Sequence, residues 1–248
     1  MARRLQQAGH TVHAWNRTQS KADPLAALGI AVHATVAEAV RQADIVVSLL
    51  ENGPAVEHVL FHAGAAQAMR PGTLFIDMAS IQPREARDHA ARLGEMGLAH
   101  LDAPVSGGTV GAENGTLAIM AGGRAEDFAR AQPVFAALGR ATHVGPHGSG
   151  QLAKLANQMI VGITIGAVAE ALLFAAKGGA DMARVREAIQ GGFADSRILQ
   201  LHGQRMVDRD FAPKARMGVQ LKDMRNALGT AKEIGFDAPV TTLFEALY

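Results

Sequence analysis

Over its first 145 residues the chain alternates short apolar runs with amphipathic stretches, and beyond "GPHGSG" (residues 145–150) that alternation stops. The runs "TVHAW", "DIVVSLL", "GTLFID", "AHLDA", "LAIMAG" and "THVG" read as strands. The stretches between them carry helix signals. Thr35 and Glu38 have the spacing of a capping box. Gly9, Gly29, Gly97 and Gly139 stand where a helix C-terminus calls for positive φ. Pro71-Gly72 marks a turn. Near-continuous apolar strands need cover on both faces, which predicts a parallel, doubly wound α/β sheet over 1–145. Residues 146–248 show helical spacing only and predict an all-α domain.

Composition narrows the function. A chain of 248 residues can bury a sizeable core, and a net charge of +1 gives no footprint for nucleic acid or an anionic membrane surface. The absence of cysteine excludes disulfides and thiol nucleophiles. The ten histidines lack metal-ligand spacing, so no metal site is expected. The polar, basic start has no signal-peptide pattern. The apolar run from Met159 to Ala176 is interrupted by Glu170 and reads as a buried helix of a soluble, cytoplasmic protein. Gly162 and Gly166 on that run allow close approach of another backbone, within the chain or between subunits.

Several stretches carry chemistry. "TVHAW" runs into Asn16-Arg17-Thr18 with no Asp or Glu nearby. At the end of the second strand of a dinucleotide-binding fold, a carboxylate holds the ribose 2′-hydroxyl of NAD, whereas an arginine accommodates the 2′-phosphate of NADP. A solvated loop arginine is the alternative. "FIDMASIQP" places Asp77 to Ser80, and "SLLENGP" places Leu50 to Asn52, at the carboxyl ends of strands, where such sheets bind ligands, although a plain loop would look the same. Ser106-Gly107-Gly108 can present a hydroxyl and closely approaching N–H groups to a carboxylate, or can be a glycine-rich turn. Lys154, Asn157 and Gln158 share one face of an otherwise apolar helix. A lysine in that company is costly to bury unless it works, for instance in proton transfer; a snorkelling side chain is the other reading.

Together, "DAPVSGGTVGAENGTLAIMAGG" and "GQLAKLANQ" resemble the substrate-binding signature and catalytic helix of the β-hydroxyacid dehydrogenase family, to which 3-hydroxyisobutyrate dehydrogenases and 2-hydroxy-3-oxopropionate (tartronate semialdehyde) reductases belong. "LKDMRNAL" is similar to the family's late lysine-aspartate motif. The resemblance covers essentially the whole chain. It implies a Rossmann-like domain followed by a helical one, with the active site in the cleft between them. It implies interconversion of a short 3-hydroxy acid and its semialdehyde with NADP, or with NAD. It implies Lys154 as the catalytic lysine, Ser106, Gly107, Gly108 and Asn157 as substrate contacts, and Arg17, Thr18, Leu49, Leu50, Glu51, Ser80 and Lys222 as cofactor contacts. A homodimer or homotetramer through the helical domain is expected.

The sequence also departs from the family pattern. Met1 aligns with an internal methionine of the N-terminal glycine motif, so a first strand and glycine loop are expected to be absent, and the end at "TTLFEALY" looks short of the last helical segment. The second reading that follows is a catalytically incompetent remnant acting only as a binding module. Glu51 stands where proline is common, and Lys214 follows Pro213 where glycine is usual.

Overall fold

The computed structural model describes residues 1–213 and 216–248; Lys214 lies outside them. The chain forms two compact units, Met1–Lys154 and Leu155–Tyr248. They divide inside a continuous helix, which no shift in composition marks.

In the first unit, α1 (Ala2–Gln7) leads to β1 (His13–Ala14), which pairs in parallel with β2 (Ala31–Val32) as a two-stranded sheet. α2 (Val36–Val40) starts at Thr35, and both hydrogen bonds of the expected Thr35–Glu38 capping box are present. Then come β3 (Ile45–Ser48), α3 (Gly53–Glu57), α4 (Ala65–Ala68), β4 (Leu74–Asp77), α5 (Pro83–Glu95) and β5 (Ala99–Asp102). β6 (Val105–Ser106), α6 (Gly108–Asn114), β7 (Leu117–Gly123), α7 (Ala125–Leu138) and β8 (Gly139–Gly145) complete the unit. The main sheet has the order β3-β4-β5-β7-β6, with β8 also on β7.

β3, β4 and β5 are parallel, as expected, and so is β8 on β7. β7 runs antiparallel to β5 and β6, which corrects the all-parallel expectation. Only residues 107–116 separate β6 from β7, too short a connection for the crossover a parallel pair needs. β2 and β6 are not among the strands read from the sequence: two residues cannot show alternation, and the equally short β1 is marked only by the longer run "TVHAW" around it. Every residue of β4 is buried: Phe75 packs with Val56, Leu60 and Leu93 on one face, while Leu74 and Ile76 pack with Leu101, Leu117 and Phe135 on the other. That two-sided cover is why "LFI" has no polar alternation.

Gly9, Gly29 and Gly97 take the positive φ expected of them. Gly139 does not. Its φ of 160° is extended, it opens β8, and a Cβ there would overlap the backbone of Leu117. Close strand approach, not a helix cap, requires glycine here.

α8 (Ser149–Lys177) is seated by Asp102, at the end of β5. Its carboxylate accepts from the amides of Gly148 (2.8 Å) and Gln151 (2.9 Å), two of the donors a helix N-terminus leaves unpaired. A Cβ on Gly150 would overlap the carbonyl oxygens of Asp102 and Met120, so the glycine permits this docking.

The second unit contains the rest of α8, α9 (Met182–Ile189), a π-helical turn over 199–203 that runs into α10 (Gln204–Asp208), α11 (Met217–Glu233) and α12 (Pro239–Leu247). Val168, Leu172 and Leu199 form its core with Met182, Val185 and Ile189 around them. A Cβ on Gly162 would press on Gln220 and Met224 of α11, and one on Gly166 would overlap Phe244 of α12. The G-x-x-x-G face therefore serves packing within the chain. The expectation of a buried apolar helix is corrected: only 11% of the most apolar 18-residue window of α8 is buried, and Ile160, Leu173 and Phe174 are exposed. By length and composition alone this helix could also cross a membrane. The physical reason for the exposure is that α11 and α12 cover its glycine face, and α9 with the 199–203 turn and α10 cover the Val168–Leu172 stripe, leaving the remaining apolar side without a neighbour among the described residues.

Candidate active site

The carboxyl ends of three parallel strands line up in register as Ser48, Asp77 and Asp102. The Ser48 hydroxyl donates to Asp77 Oδ1 at 2.8 Å, and the Ala79 amide donates to the same oxygen at 3.0 Å. One buried carboxyl thus ties together the two loops that begin at Leu49 and at Met78. Burial pushes the Asp77 carboxyl up to about 7, and the neighbouring Asp102 and Glu85 carboxylates add to the rise against the hydrogen bonds that oppose it. Its Oδ2 has no hydrogen-bond partner among the described residues. Burial also raises Asp102, opposed by its bonds from Gly148 and Gln151. The sequence places Asp77 at a strand end where ligands bind but gives Asp102 no role. The available signal is an Asp closing each of two short strand runs, "LFID" and "AHLD".

Lys154 sits one turn into α8 and is 9% exposed. Its Nζ donates to the Val105 carbonyl at 2.8 Å, directly before Ser106. The ammonium and the Ser-Gly-Gly stretch are thereby brought together, which the sequence leaves as two separate motifs. Gly107 has φ 135° and Gly108 φ 63°, a pair of conformations that two consecutive side-chain-bearing residues would resist. A Cβ on Gly107 would also press against Leu117 at 3.2 Å, whereas Gly108 faces open space. Ser106 is half-buried and both glycines are exposed, so this stretch is open to a ligand.

Asn157 and Lys222 belong to the second unit. The Asn157 amide donates to Gln158 Oε1 at 2.8 Å, and Gln158 donates in turn to Asp223 Oδ2 at 2.8 Å and to Gln220 at 3.0 Å. Asp223 is 1% exposed and pairs with Lys222 at 2.9 Å. Gln158 and Asp223 are the buried members of this network, and they fix the orientation of the Asn157 amide.

Arg17 is exposed in the turn after β1, shaped by the Thr18 amide donating to Asn16 Oδ1 at 2.9 Å. Among the described residues it makes no ion pair. Leu49 is 55% exposed at the end of β3, Leu50 is half-buried, Glu51 is exposed and Ser80 is half-buried. An uncommitted guanidinium, an open apolar side chain and loops at the carboxyl ends of parallel strands suit a nicotinamide dinucleotide.

The sequence profile of the NAD binding domain of 6-phosphogluconate dehydrogenase matches residues 1–146, and that of the NAD-binding region of NADP-dependent 3-hydroxyisobutyrate dehydrogenase matches residues 148–248. The 2-hydroxy-3-oxopropionate reductase of Escherichia coli is 44% identical over 100% of this chain and 85% of its own length. An NAD-dependent L-serine dehydrogenase of Pseudomonas aeruginosa is 34% identical, again over 100% of this chain and 86% of its own. Among solved structures, Mycobacterium tuberculosis 3-hydroxyisobutyrate dehydrogenase with L-serine superimposes with a TM-score of 0.91 at 32% identity, covering 100% of this chain and 87% of that one. With whole-chain identity of this order added to the fold, the protein belongs to the 3-hydroxyisobutyrate dehydrogenase-type family of NAD(P)-dependent hydroxyacid dehydrogenases and semialdehyde reductases.

Proposed function

We propose that the protein interconverts a short 3-hydroxy acid and its semialdehyde with NADP(H), with 2-hydroxy-3-oxopropionate the preferred substrate. The observation that carries this reading is the buried Lys154 ammonium held beside Ser106-Gly107-Gly108 through the Val105 carbonyl. The Ser106 hydroxyl and the Gly107 and Gly108 amides hold the substrate carboxylate. In the direction of reduction Lys154 Nζ gives a proton to the carbonyl oxygen as it becomes an alkoxide; in oxidation it takes that proton back. Asn157 orients the oxygen that gains or loses the proton. The nicotinamide cofactor, when bound, supplies or accepts the hydride. Arg17 takes the 2′-phosphate, while Thr18, Leu49, Leu50, Glu51, Ser80 and Lys222 hold the rest of the cofactor. The preference for 2-hydroxy-3-oxopropionate rests on the 44% identity to a reductase of that name.

The test is a substrate panel with the purified protein: NADPH oxidation with 2-hydroxy-3-oxopropionate, and NADP⁺ reduction with 3-hydroxyisobutyrate and with L-serine. The highest kcat/KM is expected for 2-hydroxy-3-oxopropionate. A binding module without turnover is the second reading, favoured by β1 and β3, each of which pairs with a single strand among the described residues. NADPH binding without conversion of any of the three substrates would support that reading and overturn ours.

The exposed Ile160, Leu173 and Phe174 of α8 and Leu243 and Leu247 of α12 support assembly into a homodimer or homotetramer through residues 146–248. Sedimentation velocity at micromolar concentration checks this, and a monomer refutes it. We place the enzyme in the cytoplasm, on the strength of its bacterial relatives.

A further inference from the structure

Gln151 is fully buried, and its side chain faces the loop that follows β4. Its Oε1 accepts from the Ile81 amide at 3.1 Å, and its Nε2 donates to the Ala79 carbonyl at 2.9 Å. Its own backbone amide donates to Asp102 at 2.9 Å. The two loop residues it holds flank Ser80. Three residues further along the same helix comes Lys154, itself tied to Val105. Gln151 therefore links one loop and one helix: its carboxamide holds the Ser80 loop, and its backbone belongs to the first turn of α8, anchored on β5.

We propose that Gln151 is a positioning residue, a two-point clamp that fixes the Ser80 loop relative to the first turn of α8 and so sets the cofactor loop against Lys154. This rests on the reading that Ser80 contacts the cofactor and that Lys154 transfers the proton. The chemistry of the clamp is specific. The loop presents one donor and one acceptor, Ile81 N–H and Ala79 C=O, and a primary amide complements both with one planar group. A carboxylate can accept from Ile81 but cannot donate to Ala79. A protonated carboxyl does both.

That asymmetry gives the test. Gln151→Leu removes both bonds and leaves two buried backbone groups unpaired, so NADPH affinity read by fluorescence titration is expected to fall about tenfold or more. Exchange of the Ile81 amide should quicken while that of Ile76 in β4 does not. Because Gln151→Leu risks misfolding, Gln151→Glu is the second variant. At pH 6, where a buried replacement carboxyl holds its proton, it should bind NADPH as the wild type does; by pH 8.5 it should lose that affinity and the Ile81 protection together. The charged and titratable groups around the clamp are Asp77 and Asp102 on the sheet, Glu85 and Arg87 on α5, His147 before α8 and Lys154 on it. All are common to wild type and variant, so the difference between the two proteins is the readout. Equal NADPH affinity of wild type and Gln151→Leu, or a Gln151→Glu response that follows the wild type at both pH values, overturns the clamp and leaves the proposed function standing. A wild-type protein that binds no NADPH overturns the cofactor reading, and the positioning role with it.

Discussion

Lys154 Nζ lies 2.8 Å from the Val105 carbonyl oxygen, 49 residues earlier in the chain. The bond offsets part of the cost of burying an ammonium in an apolar helix face and fixes it beside Ser106. Lys154→Ala should therefore lower turnover by about 10²–10⁴ or more, the range of a general acid, while NADPH binding by titration stays within a few-fold of wild type. A mutant that kept more than about a tenth of wild-type turnover would make Lys154 a packing residue.

Arg17, exposed and without an ion-pair partner among the described residues, should discriminate between cofactors. Arg17→Ala is expected to raise KM for NADPH about tenfold or more, the worth of one charge-assisted contact, with KM for NADH little changed. Steady-state kinetics with both cofactors is the measurement, and equal effects would remove Arg17 from the 2′-phosphate site.

The two glycines after Ser106 should answer differently to a methyl group. Gly107→Ala meets both a φ of 135° and Leu117 at 3.2 Å, while Gly108→Ala meets only a φ of 63° in open space. The first should cost ~1–3 kcal/mol of stability and the second ~1–2 kcal/mol. Gly107→Ala should also raise KM for the semialdehyde. Thermal melts and initial rates of the two variants side by side provide the comparison.

Stability should depend on pH through Asp77. Its folded value of about 7 lies above the ordinary 3.8, so between those two values the folded state holds a proton that the unfolded chain has released. The contribution is fully present below about pH 4 and is lost as pH rises towards 7. Burial takes His100 the other way, down to about 3, so its contribution is present above pH 6.5 and lost as pH falls towards 3. Asp77→Asn keeps an uncharged side chain at every pH, so it should be more stable relative to wild type at pH 8 than at pH 5. Urea unfolding at the two pH values reads the difference; an identical gap at both would mean that Asp77 stays ionised when folded.

What the sequence determined by itself is local. Capping at Thr35 and Glu38, glycine turns at 9, 29 and 97, the apolar Leu74–Ile76 run of β4 and the long α8 all follow from spacing within a few residues, and each is present. The Ser-Gly-Gly and Lys-x-x-Asn motifs were legible for the same reason: each is contiguous. The tertiary structure decided everything that joins distant segments. It reversed β7 against β5, made Gly139 a strand glycine, left the outer face of α8 uncovered and filled the Gly162–Gly166 face with α11 and α12. It also aligned Ser48, Asp77 and Asp102 across three strands and put the Gln151 amide on a loop 70 residues away. Pattern fixes which face of an element is apolar, because side-chain direction follows backbone period. Which donor meets which acceptor depends on register and docking, which the sum of many weak long-range contacts selects and no short stretch encodes.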